Sequence, residues 1–391
     1  IRDLRMSRGL GDVYKRQRVD EARVLAANYY YILVNTFGGV PLMKEYVANA
    51  QTGYPKSAAS DVYAYIIEEL ENVVANGVLE KSTAQNGGGR ASLESARALL
   101  AKTYLAAAWD LDKKEYFSKA AQTADDVIAK RNLVTPFANL WRADYSGDDN
   151  EEFIWDVEYD YATATNTVSG GHPWSSFYCN HIGGQEDHGK GSTSAFIATL
   201  HALQCFEKGD VRYEVTFMKE LPDIVTASNY WYWDWYKNGE TFIGIPLKRY
   251  YPAWYETEED IEAWKALDPE NRKNTWILPM SDHTRDPQEY MPGEINYEAF
   301  VTYSYGGSPC RKFDDSNTGS YSNKTDYRDI HIITLSEVYL IAAEAYFKAG
   351  NNENALARLN EVRRRAQLNA VTSIDVDAIL KELSLIHISE P

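Results

Sequence analysis

The sequence predicts a mostly α-helical protein, in which antiparallel helical hairpins form a scaffold around a loop-rich, partly β insertion. Three observations predict this fold class. Apolar residues recur with helical spacing near both ends of the chain. Clusters of Gly, Asn, Pro and Ser interrupt that spacing between about residues 137 and 330. The chain has 391 residues, 44% of them hydrophobic, so it is long enough to bury a large core.

The clearest hairpin covers residues 335–366. Gly350 is expected to end its first helix in the left-handed conformation, and Asn351 is expected to cap the second. Small and aromatic residues alternate as in tetratricopeptide repeats, where small side chains let two helices approach closely. The pattern therefore predicts an antiparallel repeat unit without a catalytic motif. Its apolar stripes are Leu335, Val338, Tyr339, Ala342, Ala343, Ala345 and Tyr346, then Ala355, Leu359, Val362 and Ala366.

A second tetratricopeptide-like scaffold is predicted over residues 18–136. Its first helix ends at Gly38 and Gly39, Ser60 and Asp61 are expected to cap the second, and Ser92 begins the third. The expected helices are 18–37, 62–75, 92–109 and 114–130. The first carries an apolar stripe of Ala22, Leu25, Ala26, Tyr29, Ile32, Leu33 and Phe37.

The insertion, residues 137–330, is expected to carry the binding residues, because loops on a rigid frame commonly do. Residues 152–157 and 241–246 have strand-like composition, residues 258–267 predict a helix, and residues 194–206 are a weaker helix candidate. Helical units resume over residues 331–382.

Both ends look non-native. Residues 1–17 and 383–391 resemble in-frame translations of sequencing-library adapters, so we expect neither to belong to the natural protein. A natural signal peptide or anchoring cysteine would then be absent from this chain, and its location has to be inferred by other means.

The composition narrows the classes of partner. A formal charge of −17 argues against nucleic acid and anionic lipid surfaces, which would be repelled. The sequence contains no run of about 18 apolar residues, so it predicts no membrane-spanning helix. The 29 Tyr and 10 Trp are typical of proteins that offer flat apolar faces to carbohydrates or proteins, although a large aromatic core would take about half or more of them.

The densest aromatic segment is residues 230–236, YWYWDWY. In an extended conformation alternate residues face opposite sides, so its three indoles would share one face. Sugars present apolar C–H faces and hydroxyl edges, which flat rings and nearby polar groups match. The predicted ligand-binding residues are Trp231, Trp233, Trp235, Asp234 and Asn238, with Trp174, Tyr178, Trp254 and Tyr255 as weaker candidates on the same logic. The alternative for each ring is a place in the core.

Other chemistry has little support in the sequence. His181 and His188 flank Glu186 and Asp187 without the spacing of a zinc helix, and the acidic segment 148–152 lacks the pattern of a calcium loop. A glycosidase pair is defined by distance in space rather than by spacing. We therefore predict no metal, no cofactor and no catalytic residue. Cys179, Cys205 and Cys310 lie far apart, which leaves one disulfide plus one thiol open.

Several motifs together resemble the SusD/RagB family of glycan-binding outer-membrane lipoproteins of Bacteroidetes. They are residues 21–31 (EARVLAANYYY) with 37–42 (FGGVPL), 89–91 (GRA), 210–212 (DVR), 311–314 (RKFD), and the 335–366 hairpin. The resemblance extends over about residues 18–382. The charges of Glu21 and Arg23 and the Tyr29–Tyr31 block are interpreted as packing and ion-pairing elements of the scaffold.

The resemblance implies a non-catalytic, lipid-anchored subunit that captures oligosaccharides and delivers them to a TonB-dependent, SusC-like outer-membrane transporter. It implies a location on the cell surface at the outer membrane, with contact to the membrane only through the lipid anchor. Thr334 departs from the pattern, since relatives often have Arg in this helix lead-in.

Two alternatives stay open. The first is a tetratricopeptide-like scaffold whose aromatic residues bind a protein or peptide. The second, with less support, is a glycoside hydrolase with an acidic pair in the insertion.

Overall fold

A computed structural model describes residues 2–45, 49, 52–81, 89–142, 145–159, 171–178, 198–222, 242–278, 308–313 and 326–387. The elements below are those found within these ranges. Helices and strands are numbered in chain order.

Four helices form the N-terminal part of the scaffold, each packed against the next along the chain. Ser92 caps the third helix as predicted, because its hydroxyl accepts the N–H of Ser95 while Ser95 Oγ accepts the N–H of Ser92. The predicted cap of the second helix is wrong. That helix begins after Ala58, which makes no side-chain cap bond, so Ser60 and Asp61 lie in its first turn. The helices are α1 (Arg2–Phe37), α2 (Ala59–Asn76), α3 (Leu93–Asp110) and α4 (Glu115–Ile128).

The C-terminal helices reproduce the predicted hairpin. They are α10 (Leu335–Lys348), α11 (Asn352–Arg365) and α12 (Val376–His387), preceded by strand β5 (Ile330–Thr334). Gly350 adopts φ +82° after α10, and the Asn351 side chain accepts the N–H of Asn354 at 3.1 Å. The predicted inward stripe of α11 is fully buried. Thr334 caps α10 by accepting the N–H of Glu337.

The two helical parts share one core, although about 200 residues of sequence separate them. Helix α10 packs on α3 and α4 as well as on α11 and α12, so its buried surface extends almost all the way round. Two polar contacts fasten the junction: Asp125 accepts the hydroxyl hydrogen of Tyr346 at 2.6 Å and the Nε–H of Arg358 at 2.8 Å. A mostly α fold with a tetratricopeptide-like helical scaffold is thus confirmed.

Helix α1 buries a different face from the one its apolar stripe suggested. Its buried row is Val24, Ala27 and Val34, whose small side chains let α2 approach closely. The larger stripe members Leu25, Tyr29, Ile32, Leu33 and Phe37 are exposed. The helix also runs continuously from Arg2 through the adapter-like segment instead of beginning at residue 18.

The motif charges on α1 act within the scaffold, as predicted. Glu21 pairs with Arg18 at 2.8 Å and with Arg90, so it connects the 21–31 and 89–91 motifs. Arg23 pairs with Glu69 of α2 at 3.2 Å. Tyr30 packs edge-on against Tyr65, and its hydroxyl oxygen accepts the N–H of Met43.

Two small sheets lie in or beside the insertion. Strand β1 (Phe153–Val157) pairs antiparallel with β5, and β2 (Glu220–Pro222), β3 (Leu247–Tyr250) and β4 (Trp276–Ile277) form a second sheet in that order. The prediction of a strand over 241–246 is wrong for its described residues. Gly244 adopts φ +74° there, its N–H donates to Asp268, and the extended chain begins only at Leu247.

Short helices complete the described part of the insertion. Helix α8 matches the predicted 258–267, with a capping box between Thr257 and Asp260. The weaker candidate over 194–206 is observed in part, as α6. The short elements are α5 (Trp174–Tyr178), α6 (Leu200–Gln204), α7 (Val211–Thr216), α8 (Glu258–Leu267), α9 (Pro269–Arg272), and 3-10 turns at Phe137–Trp141 and Arg311–Phe313.

A buried ion-pair chain joins the insertion to the C-terminal helices. Arg212 of α7 is fully buried and pairs with Asp210 at 2.7 Å and with Glu382 of α12 at 2.8 Å. Glu382 also pairs with Arg363 of α11 at 2.6 Å. Asp210 in addition caps α7. The 210–212 motif is therefore a structural clamp.

The Gly38–Gly39 turn gives a stability prediction. A Cβ on Gly39 would collide with the carbonyl oxygen of Ser57, where the chain entering α2 crosses the end of α1. Gly39→Ala should lower the free energy of unfolding by about 3 kcal/mol, because backbone rather than a side chain would have to move. Gly38 has φ +69° with open space around it, so Gly38→Ala should cost only about 1 kcal/mol of left-handed strain. Equal losses in urea titrations of the two variants would contradict this.

Candidate functional site

The predicted site residues divide into two groups. Trp231, Trp233, Asp234, Trp235 and Asn238 lie outside the described residues. Trp174, Tyr178 and Trp254 are described, and each lies in an aromatic surface whose geometry follows.

The first surface, the α5 aromatic cluster, consists of Tyr159, His172, Trp174 and Tyr178. Successive ring centroids lie 4.8, 5.4 and 6.1 Å apart. The rings meet edge to face, an arrangement that the quadrupoles of aromatic rings favour. His172 is buried, whereas the other three residues are half-buried. The cluster therefore has a fixed base and partly accessible rings.

Backbone contacts hold the base of this cluster. The N–H of Trp174 donates to His172 Nδ1 at 3.2 Å, and His172 Nε2 lies 2.9 Å from the carbonyl oxygen of Arg328. This pattern requires the hydrogen on Nε2 and an unprotonated Nδ1. Residue 172 also pairs with Asp326 in an antiparallel bridge. Burial raises the pKa of Tyr178, so its hydroxyl stays neutral and able to donate near pH 7.

The second surface, the Trp254 platform, consists of Trp254 and Tyr255. Trp254 is 40% exposed, yet its Nε1–H donates to the carbonyl oxygen of Phe206 at 2.8 Å. Tyr255 packs edge-on against it at 5.8 Å and in turn contacts the buried ring of Tyr213. The indole is thus fixed by its polar edge, with much of its surface in solvent.

The loop below the platform is held by one carboxylate. Glu256 accepts the backbone N–H of Ala253 at 2.5 Å and an N–H of Lys219 at 2.8 Å. Its two oxygens also lie 3.3 Å from the Tyr250 hydroxyl. Burial raises the pKa of Tyr255 to about 12, so its hydroxyl is neutral near pH 7. The platform is therefore preorganised in the absence of a ligand.

The two surfaces are distinct but connected. Within the described residues the ring contact of Trp254 is to Tyr255 and not to the α5 aromatic cluster. Helix α5 packs on the Arg311–Phe313 turn, which packs on α7, and α7 carries the Tyr213 that supports the platform. Tyr159 and His172 were not predicted from the sequence, because a lone ring next to a strand or a turn carries no periodic signal.

The acidic segment 148–152 is held in ion pairs. Asp148 lies 3.5 Å from Arg328, and Glu152 lies 2.5 Å from Arg365, so both carboxylates neutralise buried guanidinium groups. Across the described ranges no group of three or more His, Cys, Asp and Glu side chains could hold a metal ion. His181, Glu186, Asp187 and His188 lie outside those ranges.

Two further observations concern the cysteines and the length and polarity of the helices. Cys205 is a buried free thiol in a hydrophobic cluster with Leu203, Phe206 and Tyr213, and Cys179 lies outside the described residues. Among the helices that the structure describes, none is both long and apolar enough to cross a membrane.

Asp329 predicts a pH dependence of stability. Burial raises its pKa from 3.8 to about 7, and the neighbouring carboxylates Asp148, Asp156 and Glu158 add to the increase. Between these pH values the folded state binds more protons than the unfolded state, so stability falls as the pH rises from about 4 to above 7. Asp329→Asn should therefore raise the free energy of unfolding by about 1–2 kcal/mol at pH 8 and by almost nothing at pH 4. The gain at pH 8 stays this small because solvent screens the partly exposed carboxylate.

Urea titrations from pH 4 to pH 8 test this. An Asn oxygen can still accept the Tyr159 N–H that Asp329 accepts at 2.8 Å, so the variant mainly removes the charge. Asp126→Asn, at an exposed position on α4, is the matched control and should run parallel to the wild type. A difference between Asp329→Asn and the wild type that does not change with pH would overturn the assignment.

The fold and these surfaces define a class: a helical scaffold that presents rigid, partly exposed aromatic rings from an irregular insertion. Comparison with known proteins agrees. Residues 151–383, more than half of the chain, match the model of the SusD family. The chain belongs to the SusD family.

Three relatives illustrate the relationship. A SusD-like protein of Bacteroides ovatus is 24% identical over 404 residues, covering 95% of this chain and 57% of the relative. The starch-binding protein SusD of Bacteroides thetaiotaomicron is 24% identical over 377 residues, covering 93% and 60%. Surface glycan-binding protein A from Bacteroides thetaiotaomicron, in complex with laminarihexaose, superposes with a TM-score of 0.62 at 17% identity, covering 97% of this chain and 68% of that structure. The chain thus spans less than two thirds of the length of these two curated relatives.

Proposed function

We propose that this protein binds a neutral oligosaccharide through exposed aromatic rings of its insertion and does not cleave it. The observation that carries the proposal is the Trp254 platform, in which the indole N–H is hydrogen-bonded to the backbone while the residue stays 40% exposed. Membership in the SusD family supports it, since one relative is a starch-binding protein and another was solved with laminarihexaose.

The platform suits a sugar ring for a physical reason. A pyranose presents C–H groups on its faces and hydroxyls at its edge, so a flat ring can cover a face while polar groups meet the edge. Because Trp254 is already immobilised, binding would cost little side-chain entropy. The α5 aromatic cluster offers a second such surface, and Trp231, Trp233 and Trp235 with Asp234 and Asn238 stay proposed ligand contacts.

The charge of the chain selects among glycans. A formal charge of −17 repels sulfated and uronic-acid polymers at low ionic strength, whereas neutral glucans pay no such cost. Binding of a neutral oligosaccharide should therefore be nearly independent of salt concentration.

Trp254→Ala is expected to weaken oligosaccharide binding by at least about tenfold, since a central aromatic anchor commonly supplies most of the contact energy. Calorimetry with oligosaccharides from starch, laminarin and xyloglucan measures this. Trp109→Ala is the matched control, because Trp109 is equally exposed but lies on the scaffold helix α3. Equal affinity in all three proteins for every glycan that binds would remove the platform from the site.

Non-catalytic binding has its own test. The described carboxylates Asp148 and Glu152 already pair with Arg328 and Arg365, which leaves them poorly placed to act as a glycosidase pair. Reducing-sugar release on long incubation would favour a hydrolase and contradict the proposal.

We further propose delivery to a SusC-like, TonB-dependent transporter at the outer membrane, with attachment of the whole protein by a lipid anchor. This rests on family membership and on nothing in the described contacts. Co-purification with a transporter encoded beside this gene would support it.

One observation favours a second candidate, a scaffold that binds a protein or peptide. The stripe of Leu25, Tyr29, Ile32, Leu33 and Phe37 on α1 is apolar and exposed. Retention of a peptide or protein by a chain that retards no polysaccharide in affinity gels would favour this candidate over glycan binding.

A further inference from the structure

A small cavity lies where the insertion meets the C-terminal helices. Its volume is about 20 Å³, and it is bounded by the turn Phe137–Trp141, the start of β1, the lead-in to α10, and the ends of α11 and α12. A space of this size holds one water molecule. Its polar lining comes from Trp141, Glu152, Lys312, Thr334, Ser336 and Arg365.

Two donors at this cavity lack acceptors among the described residues. Trp141 Nε1 and Arg365 Nε are both buried, and neither has a hydrogen-bond partner in the part of the chain that the structure describes. Arg365 is 2% exposed, and its Nη1 is already committed to Glu152 at 2.5 Å, so its Nε–H cannot turn to solvent. Buried donors of this kind are normally satisfied by protein or by ordered water.

Acceptors for the two hydrogens of a water molecule line the same space. The hydroxyls of Thr334 and Ser336 lie 3.1 Å from each other at the start of α10, and Glu152 lines the same cavity. A water there could accept from Trp141 and Arg365 and donate to two of these oxygens. That gives four partners, within the usual range for internal water.

We propose that this cavity is a binding site for a single structural water molecule that bridges Trp141 and Arg365. The water connects the insertion, through the Phe137–Trp141 turn, with helix α11 of the scaffold. It satisfies two donors that have no hydrogen-bond partner among the described residues.

A crystal structure of the full chain at about 1.8 Å or better tests the proposal. The expected result is an ordered oxygen within about 3.2 Å of both Trp141 Nε1 and Arg365 Nε. An empty cavity, or a rotated Trp141 that donates to a protein atom, would overturn it. A bromide-soaked crystal with an anomalous peak at the site would also overturn it, because the ligand would then be an anion.

NMR in solution gives an independent readout. The indole N–H of Trp141 should show a nuclear Overhauser effect to a long-lived water, at a resonance identified by its loss in Trp141→Phe. Trp109 is the control, because its indole N–H already donates to a Glu344 carboxylate oxygen at 2.6 Å and should therefore show no Overhauser effect to a long-lived water. A Trp141 resonance that behaves like that of Trp109 would contradict a held water.

Discussion

Arg212→Met should lower the free energy of unfolding by about 3–5 kcal/mol, the usual cost of removing one partner from a buried ion pair. Arg212 is fully buried, and Asp210 and Glu382 both face it. Met fills a similar volume but leaves Asp210 without its counter-charge and Glu382 with Arg363 alone. The loss should exceed that from removing a side chain of equal size at the surface.

Urea titration followed by circular dichroism measures the effect. Arg364→Met is the matched control, since Arg364 pairs with Glu361 on the exposed face of α11 and should contribute less than about 1 kcal/mol. If the two variants lost the same stability, the 210–212 motif would not be a structural clamp. Near-ultraviolet dichroism would also show whether Arg212→Met releases the aromatic cluster around Tyr213, which directly follows it.

Trp155→Ala is expected to be about as severe, with a loss of about 3–5 kcal/mol, because it would leave a large cavity in a closely packed core. Trp155 lies on β1 opposite Ile333 of β5, and its side chain is almost fully buried in the core that the helices share. The variant should therefore destabilise the helical scaffold and not only the insertion.

Val157→Ala on the same strand is the matched control. Val157 is exposed, so its truncation should change stability by no more than about 0.5 kcal/mol. Thermal unfolding followed at 222 nm reports the helices directly. A normal helical transition in Trp155→Ala would show that β1 is peripheral to the common core.

The helical hairpins could be predicted because their signals are local. The stop at Gly350, the caps at Asn351 and Ser92, and the inward stripe of α11 depend on residues a few positions apart. The prediction failed where packing against another element decides which face of a helix is buried. The α1 stripe satisfies helical periodicity, but α2 packs on the row of small residues beside it, so Tyr29 and Phe37 are exposed.

The candidate site shows the same division. The composition alone indicates a protein rich in flat apolar rings. Short aromatic segments of the sequence predicted Trp174, Tyr178 and Trp254 as ligand contacts. Whether such a ring lies in the core or at the surface depends on the groups that pack against it. Trp155 is buried against β5, whereas Trp254 is held at the surface by the carbonyl oxygen of Phe206, 48 residues earlier in the chain.

The sequence by itself determined the helical class, the hairpin that closes the scaffold, the acidic charge that disfavours polyanions, and the motifs that place the chain in its family. Only the tertiary structure decided that the two helical parts share one core, that the 210–212 motif is a buried clamp, and which aromatic rings face solvent. The physical reason is range: helix caps and periodicity act within a turn or two of the chain. Burial and ion pairing, in contrast, depend on groups such as Arg212 and Glu382, which lie 170 residues apart in sequence.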